Sequence, residues 1–163
     1  MHAWLHEAWL TLQAEFADIG DARQVTQITV RLLMAAILGG ILGFERESKG
    51  KAAGVRTHML VALGAALFVM VPQMSGNQAD AMSRVVQGVI AGIGFLGAGT
   101  IIKGKDEDAG HVKGLTTAAG LWMTAAIGVS AGLGRESTAV LSTLLALVVF
   151  SVMPKIVKRF EKD

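Results

Sequence analysis

Ile28-Thr-Val-Arg31-Leu-Leu-Met-Ala35-Ala-Ile-Leu-Gly39-Gly-Ile-Leu-Gly43-Phe44 runs straight into Glu45-Arg46-Glu47-Ser48-Lys49, and this junction decides the fold. Seventeen residues with a single charge near one end rise about 25 Å as a helix, close to the ~30 Å depth of a bilayer's hydrocarbon. A helix that ends abruptly in mixed charges has reached the edge of a membrane. Four further apolar runs, each bounded by charges, follow along the chain. The pattern predicts an all-α polytopic membrane protein, a bundle of five transmembrane helices at about 28–44, 58–76, 85–102, 115–133 and 138–153.

Composition agrees. Hydrophobic residues make up 52% of the 163 and charged residues 17%, whereas a soluble domain carries roughly a quarter charged. Glycine is abundant at 20 and proline limited to Pro72 and Pro154, as expected where helices press backbone to backbone in lipid. With no cysteine, disulfides, thiolate metal sites and cysteine nucleophiles are excluded. A net charge of +2 is too small to point to nucleic acid. The distribution of that charge is informative, because Lys and Arg collect on the cytoplasmic side of membrane proteins. Eleven of the 15 lie between the first and second spans (Arg46, Lys49, Lys51, Arg56), between the third and fourth (Lys103, Lys105, Lys113) and after the fifth (Lys155, Lys158, Arg159, Lys162). Only Arg23, Arg31, Arg84 and Arg135 fall towards the opposite side. The expected topology therefore has the amino terminus outside and the carboxyl terminus in the cytoplasm.

Three regions follow: 1–27 as a periplasmic amphipathic segment, 28–153 as the transmembrane domain and 154–163 as a basic cytoplasmic tail. No Lys or Arg precedes Arg23, which argues against a cleaved signal peptide. Trp4, Leu5, Ala8, Trp9, Leu12, Phe16 and Ile19 recur at helical spacing, predicting a short helix on the outer interface.

Arg31, Ala35, Gly39, Gly43 and Glu47 fall four apart and form one ridge; Thr116, Gly120, Thr124, Gly128 and Gly132 repeat the pattern in the fourth span. Small residues on such ridges let helices approach closely. The third span, with Gly88, Ala91, Gly92, Gly94, Gly97, Ala98 and Gly99, is small nearly all round, so it is expected at the centre of the bundle. The Leu- and Val-rich fifth is expected to face lipid or a second copy, and the ridges allow a homodimer.

Four blocks carry a resemblance: Arg31 with Gly39, Gly43 and Glu45-Arg46-Glu47; Ala53-Gly54-Val55-Arg56-Thr57-His58; Gly92-Ile-Gly94-Phe-Leu-Gly97-Ala-Gly99; and Gly114-Leu-Thr116-Thr117-Ala-Ala-Gly120-Leu-Trp122. In this order the chain resembles the MgtC/SapB family of bacterial inner-membrane proteins. The resemblance implies five spans, an inner-membrane location, a link to growth at low magnesium and survival inside host cells, and restraint of the proton-translocating ATP synthase as one partner relationship. Longer members carry a soluble cytoplasmic domain after the fifth span, where this sequence shows only Lys155 to Asp163.

Other motifs are weighed on their own chemistry. Gly92-x-Gly94-x-x-Gly97 matches the dinucleotide fingerprint, which needs a strand before it and a helix after it; inside a membrane span its amides are spent on the helix, so no cofactor is expected. Arg31 is the one full charge within a span, either a functional group or one snorkelling to the interface. Glu45 and Glu47 are expected to pair with Arg46, Arg56 or Lys113 and to fix a gate or docking surface. Asp106-Glu107-Asp108 reads as a solvated turn rather than a divalent-cation site, and His2 with His6 lacks further metal ligands. No catalytic triad, hydrolase or kinase motif is present, so the chain is not read as an enzyme. No Asp or Glu lies at mid-span, where ion-coupled transporters usually place one.

The function that the resemblance implies is modulation of membrane physiology under magnesium limitation or acid or host stress, with lateral docking through the Gly-ridged faces of the first, third and fourth spans as the expected mechanism. Arg31, Gly39, Gly43, Glu45, Arg46, Glu47, Gly54, Arg56, Thr57, Asp80, Arg84, Gly94, Gly97, Thr116, Thr117 and Trp122 are the functional or interface candidates. The competing expectation is a channel or transporter for magnesium or another cation, with Asp80 and Glu45 at its mouths.

Overall fold

A computed structural model describes residues 2–15, 17, 20–74, 79–103 and 113–160. Phe16, Ile19, Lys105, Asp106, Glu107, Asp108 and Lys162 lie outside these, so the readings placed on them have no structural counterpart. Six helices are described: α1 (His2–Glu15), α2 (Ala22–Ser48), α3 (Val55–Met74), α4 (Ala79–Lys103), α5 (Leu115–Gly132) and α6 (Glu136–Phe160). The last five contain stretches long and apolar enough to cross a membrane, and the described residues include no strand. The chain is a multi-pass membrane protein. Each of α2, α3 and α6 begins before the apolar run that predicted it, and α6 continues through Pro154 to Phe160.

The chain divides into two units, Met1–Val30 and Arg31–Asp163. In the first, α1 exposes Trp4, Leu5, Trp9 and Leu12. Asp21 Oδ1 accepts the Gln24 amide at 2.7 Å while the Gln24 side chain accepts the Gly20 amide at 3.0 Å, a reciprocal cap that starts α2.

The second unit is built around α3 and α5. The α2 ridge is spent on α3: a methyl group at Gly39 would lie 2.7 Å from the His58 carbonyl oxygen, and one at Gly43 only 2.6 Å from the Val55 Cα. From α5, one at Gly132 would lie 2.5 Å from the Ala66 carbonyl oxygen, and Gly128 meets the Ala62 backbone as closely. Ala35, Leu42, Ala62, Ala66, Ile127, Ala131 and Ala139 fill the core between these helices and α6. Backbone contact of this kind maximises dispersion where no hydrophobic drive separates helices from lipid.

The expectation that the Gly-rich third span sits at the centre is corrected. Of the described α4 side, only Ile93 and Gly97 are buried. Gly97 packs on Ala118 of α5, whereas Gly88, Gly92, Gly94 and Gly99 have open space where a side chain would be. Smallness permits close approach without specifying a neighbour. α6 exposes Leu141, Leu144, Leu145, Val148 and Val149.

α2 and α5 end alike. Around Gly50 (φ 64°) the Lys51 amide donates to Arg46 and the Gly50 amide to Glu47; around Gly134 (φ 73°) Arg135 donates to Ser130 and Gly134 to Ala131. Both glycines adopt the left-handed conformation that lets the last carbonyls find partners.

Candidate functional site

The end of the bundle holding Glu45 brings four helices together. Glu45 pairs with Lys49 one turn along α2 and with Arg46 at 3.3 Å, and the Ser151 hydroxyl of α6 donates to it at 3.4 Å. Lys49 Nζ donates to the Phe150 carbonyl at 2.9 Å. That carbonyl is available because Pro154, four residues on, has no N–H to return to it. The carbonyl that Pro154 leaves unpaired within α6 thus becomes an acceptor for the lysine just past α2.

Arg46 is 3% exposed. Its guanidinium carbon sits 4.3 Å from the centroid of the Phe150 ring, a cation–π contact inside the fold. Its Nε and Nη2 have no protein partner, nor has Nε2 of the fully buried His58, whose Nδ1 donates to the Gly54 carbonyl at 2.9 Å. Phe150 and His58 Nε2 both pack over Gly120. A larger residue there would push against the ring that Arg46 stacks on.

Glu47 points the other way. Its Oε2 accepts the Val55 amide at 2.8 Å, capping the first turn of α3 from a different helix, and it lies against Gly54. A carboxylate at a helix start is doubly satisfied, by the hydrogen bond and by the dipole. The expected pairing of the acids with Arg56 or Lys113 is therefore corrected. Glu45 takes Arg46 and Lys49, Glu47 takes a backbone amide, and Arg56 makes no ion pair among the described residues.

At the opposite end Arg31 does not reach out to an interface. Its Nη1 donates to Gln73 of α3 at 2.8 Å and to the Gly132 carbonyl at the end of α5 at 3.1 Å, with its guanidinium packed on Gly134. A cation bonded to a helix's last carbonyls is a stabilising staple. Asp80 lies in the first turn of α4 and Arg84 one turn later, both exposed. Among the described residues neither they nor any other group of three His, Asp or Glu is placed to hold a metal ion.

Two hollows open on the α4 side. An apolar groove of 810 Å³ lies between α3 (Leu60, Gly64, Phe68) and α4 (Val85, Gly88, Gly92), with Arg56 and Thr57 at one end. A recess of 920 Å³ continues from it, sharing Thr57 and Leu96, and is lined by Lys51, Lys113, Thr100, Thr116 and Thr117. Among the described residues no acidic side chain lines either hollow. Of the remaining sequence candidates, Gly94 faces open space and Trp122 is exposed on α5, apart from both hollows. The residues that sequence reasoning missed are Lys49, His58, Gln73, Phe150 and Ser151. Only Pro154 gave a local signal, by marking the carbonyl four residues before it as unpaired.

Comparison with known proteins agrees with this architecture. The sequence model of the MgtC family matches residues 32–159. Protein SrpB of Synechococcus elongatus is 45% identical over 133 residues, covering 76% of this chain and 73% of its own length. The putative magnesium transporter YhiD of Escherichia coli is 37% identical over 142 residues (82% and 63%), and protein MgtC of Brucella abortus 42% over 128 (78% and 51%). The chain thus spans about half to two thirds of the length of the latter two. No solved structure matches the chain. The five apolar helices, the ridges that pack them and a family match over most of the sequence lead to one conclusion: this chain belongs to the MgtC family.

Proposed function

We propose that the chain is a bacterial inner-membrane protein that modulates membrane physiology under magnesium limitation or acid or host stress, acting on another membrane complex without conducting ions itself. The observation that carries this reading is the chemistry of its two hollows. Magnesium needs oxygen ligands and favours carboxylates, yet among the described residues the walls present the cations Lys51 and Arg56 and no acid. Glu45 and Glu47 are already engaged by cations and a helix start. A cation path along these walls would meet like charge at its mouth.

The α2 and α5 ridges are spent inside the bundle, so docking uses outer faces, chiefly the aliphatic face of α6. The proton-translocating ATP synthase is the complex that the family resemblance implies. The alternative, a magnesium transporter, rests on the name given to one relative. The test is purification of the tagged chain in mild detergent from magnesium-starved bacteria. The reading expects an inner-membrane complex to copurify and growth at low magnesium to fall when the chain is deleted. A chain that purifies alone, from cells whose growth is indifferent to its deletion, contradicts it.

A further inference from the structure

The groove between α3 and α4 and the recess that continues from it form one amphipathic cavity. The groove wall from Arg56 to Phe68 rises about 18 Å at ~1.5 Å per residue, matching the ~15 Å of one leaflet in a ~30 Å hydrocarbon core. Gly64, Gly88 and Gly92 leave a channel of 810 Å³ there, within the ~300–1,000 Å³ of small-molecule sites. At its polar end stand Arg56 and Thr57, then Lys51, Lys113, Thr100 and Thr116 in the adjoining 920 Å³. Arg56 makes no ion pair among the described residues, so its charge is available to a ligand.

We infer that this cavity holds one anionic glycerophospholipid of the cytoplasmic leaflet, an acyl chain lying between α3 and α4 and the phosphate facing Arg56 and Lys51. An apolar slot one leaflet deep that opens into a basic, hydroxyl-lined chamber is complementary to a tail joined to a phosphate. A partner's transmembrane helix would fill the slot and leave Arg56 and Lys51, which make no ion pair among the described residues, without a counter-charge. Juxtamembrane basic groups recognise anionic headgroups by this electrostatic attraction. The inference does not depend on the protein partner proposed above, since lipid retention is read on the purified chain alone.

The test is native mass spectrometry of the full chain released from micelles containing equimolar phosphatidylglycerol and phosphatidylcholine, with soluble glycerol phosphate as a further arm. The wild type is expected to retain one phosphatidylglycerol, preferred over phosphatidylcholine by about 25-fold, since Arg56 and Lys51 near an anionic headgroup contribute roughly fivefold each. Glycerol phosphate alone is expected not to be retained. The paired change Arg56→Gln with Lys51→Gln should remove the preference while a lipid is still held, and Gly88→Leu with Gly92→Leu should remove retention of both lipids. Helical circular dichroism and a monodisperse elution profile establish that each variant is folded. Equal retention of the two lipids by the wild type, undiminished phosphatidylglycerol on the folded Gly88→Leu/Gly92→Leu variant, or a dimer joined through α3 and α4 in place of lipid would overturn the inference.

Discussion

α4 and α5 are both rich in glycine, and the two helices use it in opposite ways. On α5, Gly128 and Gly132 lie against the backbone of α3, and Gly120 lies under Phe150. On α4 only Gly97 is in contact with a neighbour, and Gly88, Gly92, Gly94 and Gly99 border open space. The same residue type thus builds a core on one helix and leaves a cavity wall on the other. Glycine in a helix sacrifices intrinsic stability. On α5 close packing returns it, while on α4 nothing in the bundle does.

The sharpest way to break this contrast is to add side chains to each helix. Gly128→Leu should prevent folding, and even Gly128→Ala should cost about 2–3 kcal/mol or more, because the added carbon meets the rigid Ala62 backbone. Thermal melting in detergent, with monodispersity as a check, measures both. Next in size is Arg46→Met. It removes one cation from Glu45 and the contact with Phe150. Lys49 still neutralises Glu45 and the unpartnered guanidinium nitrogens disappear, so the loss should be about 1–3 kcal/mol. Arg46→Lys should not restore stability, because an ammonium lacks the flat face that stacks on the ring.

Arg31→Gln should lower stability by about 1 kcal/mol by unpairing the end of α5. A double-mutant cycle with Gln73→Ala should be non-additive because the two side chains share a hydrogen bond. The smallest effect belongs to Gly94→Ala, which should be neutral or stabilising by up to ~1 kcal/mol. If Gly94→Ala lowered the melting temperature as far as Gly128→Ala, the division between used and unused glycines would fail.

The five spans were legible because an apolar run bounded by charge is a local property of the chain. The α2 ridge was legible for the same reason: Arg31, Ala35, Gly39, Gly43 and Glu47 do share one face, and that face meets α3. Which helix lies at the centre was not legible, because the size of a residue says how near a neighbour can come but not which neighbour comes. The charged end was misjudged on partners. Glu45 does pair with Arg46 as expected, but its other bonds run to Lys49 and Ser151, and Glu47 takes the Val55 amide instead of Arg56 or Lys113. Separations of this kind depend on how helices are placed in space, and no spacing within one helix encodes them. His58 illustrates the limit. It follows directly on a polar pair, Arg56-Thr57, yet is fully buried between α2 and α5.

The central claim is that the chain acts in the membrane without passing magnesium. The direct measurement is magnesium entry into proteoliposomes containing the purified, folded chain, compared with empty vesicles and with a Glu45→Gln variant. The account predicts no entry above that of empty vesicles, with or without the substitution. Entry that exceeds empty vesicles and falls in the Glu45→Gln variant would contradict it and make the protein a transporter.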